Sequence, residues 1–327
     1  MIRSLYFLNG GQVQYDIPPE TYVSAMQKEG GLLWVDFQGE PNENSEPILI
    51  NTFHFHPLAV DDALHETHVP KVDDWDEFIY VALHAVTFDQ NAQRLDTVEL
   101  DVFLGTNYLV THHDIPIHAL DRVWSNFHRD ERYQKMGSDH VLYRITDELV
   151  VDYMHTIEDI DDELEQIEDR MFLNPNQAAL AHTFAVKRSL LRLRRILSPL
   201  REVLNKLGRD NYKVIDSRDQ VYFRDVYDHL VRLHDITESL RDLVAGAQDT
   251  YLSVINNRMN DVMKTLTVIT TLFMPISFIS GFFGMNFFQP AVDLQEWTTY
   301  LPFLFTLIIM IVTPAAMLMW IKRRGWM

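Results

Sequence analysis

The chain has 327 residues, of which 47% are hydrophobic, and it carries a formal net charge of −19 at pH 7. Such an acidic chain is a poor partner for nucleic acid, because binding to the phosphate backbone requires clustered lysines and arginines. Cysteine is absent, which excludes disulfides, thiolate zinc sites, iron–sulfur clusters and cysteine nucleophiles. A cation is the more natural partner for this charge.

The first 138 residues combine strand-like runs with short helical stretches. The runs LLWVDF, FIYVALHAVTF, TVELDVFL and YLVTHH favour strands, whereas PPETYVSAMQKE and HPLAVDDALHE favour helices. We predict an α/β domain over residues 1–138, with a strand order that the pattern does not give. The apolar run in MIRSLYFLNGGQ is too short for a signal peptide. We therefore expect this domain to stay in the cytoplasm.

Helical periodicity begins at about Asp139 and breaks at LNPNQ, which predicts a cytoplasmic helical hairpin over residues 139–215. Its first arm has eleven acids and no base between positions 147 and 169, and its second arm has eight bases between 187 and 209. One interpretation is two solvated faces that pair across the hairpin. The other is an electrostatic field that concentrates divalent cations near a pore entrance.

The helical pattern restarts near Gln220 and predicts a stalk helix over residues 216–264 that continues into the membrane. No residue between Lys264 and Asp293 is charged, and a span needs roughly 20 apolar residues. The first transmembrane helix is therefore predicted over residues 265–285.

A second uncharged stretch, WTTYLPFLFTLIIMIVTPAAMLMWI, predicts a second transmembrane helix over residues 297–321. The tail over residues 322–327 is basic, whereas the loop over residues 286–296 has no Lys or Arg. The positive-inside rule then puts both termini in the cytoplasm and the loop outside the plasma (inner) membrane.

One face of the first span carries small, polar and sulfur-containing side chains. They follow one another at steps of three and four: Asn260, Met263, Thr267, Thr270, Met274, Ser277 and Gly281. Either tight helix packing or a ring of helices around a water-filled path explains this stripe, and the spacing does not decide between them. Asn286 lies just beyond the stripe, where a ring of amides could hold a cation together with its water. Mg²⁺ suits such a ring because it gives up its water reluctantly.

Gly284, Met285 and Asn286 end the first of two C-terminal spans, after MPISFISGFFG and before a short loop, a second span and a basic tail. This arrangement resembles the CorA family of divalent-cation channels, and the likeness extends upstream through NDVMKTLTVITTLFMP and YFRDVYDH to PLREVL and IDDEL. It implies a funnel-shaped homopentamer in membrane lipid, with five copies of the long helix around the pore. It implies no cofactor except Mg²⁺, as the transported and regulatory ion.

The resemblance also implies roles for individual residues. Gly284, Met285 and Asn286 would form the selectivity filter. The path would be lined by Asn260, Met263, Leu266, Thr270, Met274, Ser277 and Gly281, with a hydrophobic constriction at Met263, Leu266 and Met274. A regulatory cation would bind between neighbouring cytoplasmic domains at Asp225 and Asp147, with Asp61 and Asp62 from the adjacent subunit. Asp249, near the membrane, would belong to a second sensing site.

The transported ion stays open at this point. Many family members have a Met-Pro-Glu element after the motif, whereas this chain reads FFQPAVDLQEW. Uptake of Mg²⁺, with Co²⁺ and Ni²⁺ as further ions, is the first hypothesis, and a Zn²⁺ transporter of the same architecture is the alternative.

Other functional classes find little support in the residues. The chain lacks GxxxxGK[ST], HExxH and GxSxG motifs, so we expect neither an enzyme nor a pump driven by ATP, and cations would move down the electrochemical gradient. A two-span ligand sensor is disfavoured by the eleven-residue outer loop and the short tail. The histidines are interpreted as surface or strand-face residues without a role: His54, His56, His65, His68, His112 and His113.

Overall fold

The computed structural model describes residues 1–8, 13–28, 30–65, 69–129, 136–173, 176–285 and 299–325. The chain divides into two compact units, Met1–Asp249 and Thr250–Met327.

The first unit contains a seven-stranded mixed sheet. In chain order its strands are β1 (Ile2–Leu8), β2 (Gln14–Tyr15), β3 (Gly31–Gln38), β4 (Lys71–Asp74), β5 (Ile79–Asp89), β6 (Arg94–Leu104) and β7 (Tyr108–His113). Their spatial order is β2-β1-β3-β7-β6-β5-β4; β3 and β7 run parallel, and the other pairs are antiparallel. The predicted α/β class is confirmed, and the strand order places β7 at the centre of the sheet.

Eight α-helices are seen in the described residues. They are α1 (Tyr22–Met26), α2 (Asn42–Asn51), α3 (Pro57–Leu64), α4 (His118–Arg129), α5 (Ser138–Leu173), α6 (Gln177–Arg209), α7 (Gln220–Phe283) and α8 (Tyr300–Arg323). The sequence pattern did not predict β1, β4, α2 or α4. The start of α3 is specified locally, because Pro57 supplies a suitable φ angle and the His56 ring accepts the Leu58 N–H at 3.2 Å.

Both faces of the sheet are covered by helices. On one face Leu33, Val35 and Phe37 of β3 belong to an apolar core with buried residues of α1, α2 and α3. On the other face Trp34 lies edge-on to Trp124 of α4, with ring centroids 4.7 Å apart. The Tyr153 hydroxyl of α5 donates to the His84 carbonyl at 2.8 Å. The long helix α5 is thereby fixed to the sheet.

The hairpin consists of α5 and α6, and the Asn176 side chain caps α6 by accepting the Ala179 N–H at 2.8 Å. Ion pairs of its two charge blocks run within α5, where Arg144 contacts Asp147 at 3.0 Å, and to other elements. Arg122 of α4 contacts Glu148 at 2.7 Å and Asp152 at 2.6 Å, and Arg194 of α6 contacts Glu238 of α7 at 2.9 Å. The acidic and basic blocks therefore join the hairpin to α4 and α7.

The helix α7 is continuous over 64 residues and contributes to both units. In length and composition, its C-terminal part and the 24-residue α8 could each cross a membrane. The structure ends α7 at Phe283 and begins α8 at Tyr300, against predicted spans of 265–285 and 297–321. The predicted outer loop, residues 286–296, lies outside the described residues.

Candidate ion-conduction path and regulatory acids

The membrane part of α7 has one side that the chain itself covers. Val268 is buried, and Leu272, Pro275 and Ile279 are half-buried. Steps of four, three and four keep these residues on one face of a helix that turns about 100° per residue. This narrow apolar face packs within a single copy of the chain.

The stripe lies on the opposite side of α7. Each of its members is exposed in the single chain: Asn260, Met263, Thr267, Thr270, Met274, Ser277 and Gly281; Leu266 beside them is exposed as well. Exposed Ile and Phe side chains also occur on α7, so exposure by itself does not separate a path from a lipid-facing surface. The polar groups of the stripe favour contact with water or with another helix over contact with lipid.

The stripe's threonines keep a hydrogen-bond acceptor available. Thr267 Oγ1 donates to the Met263 carbonyl and Thr270 Oγ1 to the Leu266 carbonyl, each at 2.8 Å. The hydroxyl proton is used inside the helix, and the oxygen lone pairs remain to accept from water. The apolar side chains of Met263 and Met274 lie between the polar residues of the stripe. They are 57% and 66% exposed.

The upper end of the stripe has little side-chain volume. A Cβ atom at Gly281 would meet no atom within 4 Å. The Gly284 N–H donates to the Ser280 carbonyl at 3.0 Å, and the Met285 N–H donates to the Phe282 carbonyl at 3.3 Å. These two hydrogen bonds belong to the C-terminal turn of α7. Asn286, the predicted selectivity residue, lies outside the described residues.

Two of the predicted regulatory acids are adjacent on α3. Asp61 is exposed, and its Oδ1 lies 3.1 Å from His65 Nδ1 on the same helix. Asp62 accepts from Lys71 Nζ of β4 at 2.5 Å. Both carboxylates therefore lie at the surface of the first unit.

Two others, Asp147 of α5 and Asp225 of α7, are close enough to influence each other. Burial raises the pKa of Asp147, the negative charges of Glu148 and Asp225 raise it further, and Arg144 at 3.0 Å opposes them. Asp225 is 71% exposed and lies 3.9 Å from His229 Nε2. Asp249 is exposed farther along α7. A cation would relieve the repulsion at Asp147 and Asp225.

Within one copy of the chain these acids do not converge. Across the described ranges, no group of three or more histidines and acids is arranged to hold a metal ion. A complete coordination shell would need water, or carboxylates from a second copy. The structure brings Asp147 toward Asp225 and leaves Asp61, Asp62 and Asp249 apart from them.

Sequence reasoning missed a row of buried polar residues in the sheet. Asp36 is fully buried, accepts from Arg3 Nε at 2.7 Å and Thr111 Oγ1 at 2.5 Å, and lies 3.3 Å from His113 Nε2. Burial opposes ionisation, yet His113, Arg3 and Thr111 hold the pKa of Asp36 below its usual value.

Glu99 and Asp101 of β6 are buried polar residues of the same sheet. The alternation in LDTVELDVF could have revealed them, because it puts both acids on the same face as buried Phe103.

The comparisons with known proteins decide the family. The family model described as a CorA-like Mg²⁺ transporter protein matches residues 29–323. The chain belongs to the CorA family. It is 33% identical over 296 residues to the cobalt/magnesium transport protein CorA of Thermotoga maritima, covering 90% of this chain and 83% of that one.

More distant relatives extend this finding. The solved structure of the CorA magnesium transporter from Methanocaldococcus jannaschii superposes with a TM-score of 0.83 at 23% identity, covering 99% of this chain and 98% of that one. The zinc transport protein ZntB of Yersinia pestis is 24% identical over 277 residues, covering 83% and 81% of the two chains. The resemblance inferred from the sequence is confirmed. As a CorA-family member this chain is a divalent metal ion transporter and not an enzyme, and its two apolar helices fit a membrane protein.

Proposed function

We propose that this protein is a homopentameric channel for Mg²⁺ uptake, which also passes Co²⁺ and Ni²⁺, down the electrochemical gradient. The observation that carries the proposal is the stripe on α7, which is polar, exposed in the single chain and opposite the covered apolar face. Five such stripes around an axis would put each hydroxyl and amide group in contact with water in a central path.

Selectivity would come from Gly284, Met285 and Asn286 at the outer end of the path. Gly284 and Met285 end the helix with ordinary backbone hydrogen bonds. A ring of Asn286 amide oxygens would accept from the water shell of Mg²⁺ without removing it. Below the ring, Met263, Leu266 and Met274 would close the path by dewetting.

Gating would depend on intracellular Mg²⁺ bound at Asp61, Asp62, Asp147, Asp225 and Asp249 between neighbouring cytoplasmic domains. The pKa of Asp147, raised by burial and by the charges of Glu148 and Asp225, supports this assignment, because a cation between copies would offset that repulsion. A groove of about 220 Å³ lies between α5 and α7, and its lining includes Val150, Met154, Leu233 and Ile236 together with the acids Glu158 and Asp161. Met154 and Ile236 are exposed, and exposed apolar side chains beside acids fit a surface that another copy covers.

The membrane arrangement follows from the charges around the two spans. Lys322, Arg323 and Arg324 follow α8 directly, and the Arg324 guanidinium lies 5.5 Å from the Trp320 ring. With a loop that lacks Lys and Arg, this charge distribution supports a topology with both termini in the cytoplasm, and the proposed location is the plasma (inner) membrane. Neither ATP nor nucleic acid takes part.

Zn²⁺ transport is the second candidate, and similarity to the zinc transport protein ZntB favours it. Purified protein in liposomes, with separate inward gradients of Mg²⁺, Co²⁺, Ni²⁺ and Zn²⁺, distinguishes the two. We expect Mg²⁺ flux to exceed Zn²⁺ flux at equal gradients, and protein-free liposomes give the background. Flux of Zn²⁺ without Mg²⁺ would establish the second candidate instead.

A further inference from the structure

The sheet of the first unit buries a second polar cluster, centred on Asp101 of β6. Asp101 is 3% exposed, and its Oδ1 accepts from the Tyr80 hydroxyl of β5 at 2.6 Å. Its Oδ2 lies 3.7 Å from Nδ1 of His112 on β7. Asp101 and His112 are direct cross-strand partners, so the antiparallel register fixes their approach.

A small cavity gives this cluster access to water. Its volume is about 90 Å³, and its lining includes Glu99, Asp101, His112 and His113, with Ala63 and Leu64 of α3 above them. His112 is 4% exposed and lines this cavity, and neither of its ring nitrogens has a hydrogen-bond partner in the structure. A buried imidazole without a hydrogen bond is costly and calls for a donor or acceptor that arrives from the cavity.

The charges that face Asp101 are negative or neutral on most sides. From β6 it faces Glu99, and from β5 it faces the Tyr80 phenol; His84 of β5 lies 3.7 Å from Glu99. From β7 it faces His112, whereas His113 and Asp114 line the cavity and the His113 ring contacts Asp36. On the α3 side Lys71 Nζ lies 5.2 Å from the Tyr80 ring and binds Asp62. Burial and the Glu99 charge raise the pKa of Asp101 to about 6, against the opposing contacts of His112 and Tyr80.

We infer that Asp101 with His112 and Tyr80 is a proton-binding site that takes up one proton in the mildly acidic range while the domain stays folded. The proton comes from solvent through the cavity and binds the Asp101 carboxylate. The new O–H then donates to a ring nitrogen of His112, so one event neutralises the buried charge and pairs the imidazole. The Tyr80 hydroxyl keeps its hydrogen bond to the other oxygen.

This site lies near two of the surface acids. Ala63 and Leu64, which line its cavity, directly follow Asp61 and Asp62, and Lys71 contacts both the Tyr80 ring and Asp62. The proton site itself does not depend on the function proposed for them.

The sign of the pH effect follows from linkage. A carboxylic acid whose pKa is higher in the folded than in the unfolded state adds stability as pH falls through the folded value. With about 6 folded and 3.8 unfolded, the folding equilibrium constant gains about tenfold between pH 8 and pH 5 from this group. Asp101→Asn, which has nearly the same shape and no titration, loses that gain.

The test is urea unfolding of the first unit in the full-length protein in detergent, followed by pulse proteolysis at pH 8, 6 and 5. Asp96→Asn is the control, because this exposed carboxylate lies on the same strand. We expect wild type and Asp96→Asn to gain about tenfold in the equilibrium constant relative to Asp101→Asn. Equal pH dependence in all three proteins would overturn the proposal.

Infrared spectroscopy of the wild-type protein gives a second measurement that does not require the variant to fold. A buried carboxylic acid shows a C=O stretching band that is separate from the carboxylate bands. We expect the intensity of this band to rise as pH falls through about 6. The amide bands that report secondary structure should stay constant over the same range. No such band between pH 8 and pH 5 would refute protonation at this site.

Discussion

Ile279 and Gly281 lie two positions apart on α7, yet the chain treats their side chains differently. Ile279 is half-buried on the covered face, whereas a side chain at Gly281 would meet no atom of the chain within 4 Å. If the stripe lines the conduction path, a larger side chain at Gly281 should reduce ion flux, whereas a substitution at Ile279 should not.

The first prediction compares two substitutions by leucine. Gly281→Leu puts an isobutyl group from each copy into the proposed path, and Mg²⁺ flux into liposomes should fall more than tenfold. Ile279→Leu preserves volume on the covered face, where such exchanges cost less than about 1.5 kcal/mol, and flux should stay within twofold of wild type. Equal flux from the two variants would show that the stripe serves packing only.

The second prediction concerns Asn286. Asn286→Ala removes the amide that would accept from the water shell of Mg²⁺, so flux should fall to background while the detergent-solubilised assembly keeps its size on chromatography. Asn257→Ala removes an amide from an exposed position of α7 outside the stripe and should leave flux unchanged. Wild-type flux in Asn286→Ala would exclude a selectivity role for this residue.

Individual helices are shaped by close approaches that composition does not reveal. Gly208 near the end of α6 packs on the start of α7, where an added Cβ would lie 2.9 Å from Arg224 Cγ and 3.2 Å from Arg224 N. Gly246 in α7 has no atom within 4 Å of the same added group. A close helix contact therefore requires glycine at position 208, whereas no neighbouring atom of the chain requires it at position 246.

The third prediction uses this contrast. Gly246→Ala should stabilise the first unit by up to about 1 kcal/mol, because alanine has the higher helix propensity. Gly208→Ala gains the same propensity but meets Arg224, so it should be about 1–3 kcal/mol less stable than Gly246→Ala. Urea unfolding with pulse proteolysis measures both free energies of unfolding. A Gly208→Ala protein as stable as Gly246→Ala would mean that Arg224 moves away without cost.

At the scale of the whole molecule, the net charge of −19 is concentrated before residue 265, because the two apolar spans contain almost none of it. Copies assembled around one axis would bring such surfaces together and repel, and a divalent cation would reduce that repulsion. A ligand shifts an equilibrium only through its different affinities for the two states. Five weak sites acting together would supply the few kcal/mol that gating needs.

The fourth prediction tests Asp225 in this scheme. Asp225→Asn should weaken protection of the cytoplasmic part by Mg²⁺ against proteolysis and raise Mg²⁺ flux at high internal Mg²⁺. Asp242→Asn is the matched control, because Asp242 is a 79% exposed carboxylate on the same helix against 71% for Asp225. If Mg²⁺ protects Asp225→Asn against proteolysis and inhibits its flux at the same concentrations as in wild type, Asp225 is an ordinary solvated carboxylate.

The sequence by itself determined the features that depend on local pattern. Two uncharged apolar stretches, the hairpin break at LNPNQ and the Gly284-Met285-Asn286 motif were readable because hydrophobic spacing and helix-breaking residues act over a few turns. The resemblance of the Gly284-Met285-Asn286 motif and its neighbouring segments to the CorA family gave the family, which the comparisons confirmed. The local pattern also gave the α/β class, since β-branched runs at period two require only local information.

Only the tertiary structure decided which distant residues meet. The order β3-β7-β6-β5 depends on a parallel pairing between β3, which ends at Gln38, and β7, which begins at Tyr108, and local propensity does not encode such a distant partner. The two histidines of YLVTHH, interpreted as strand-face residues without a role, proved to face different carboxylates, His112 toward Asp101 and His113 toward Asp36. Adjacent residues of a strand point to opposite faces, so the register of neighbouring strands selected each partner.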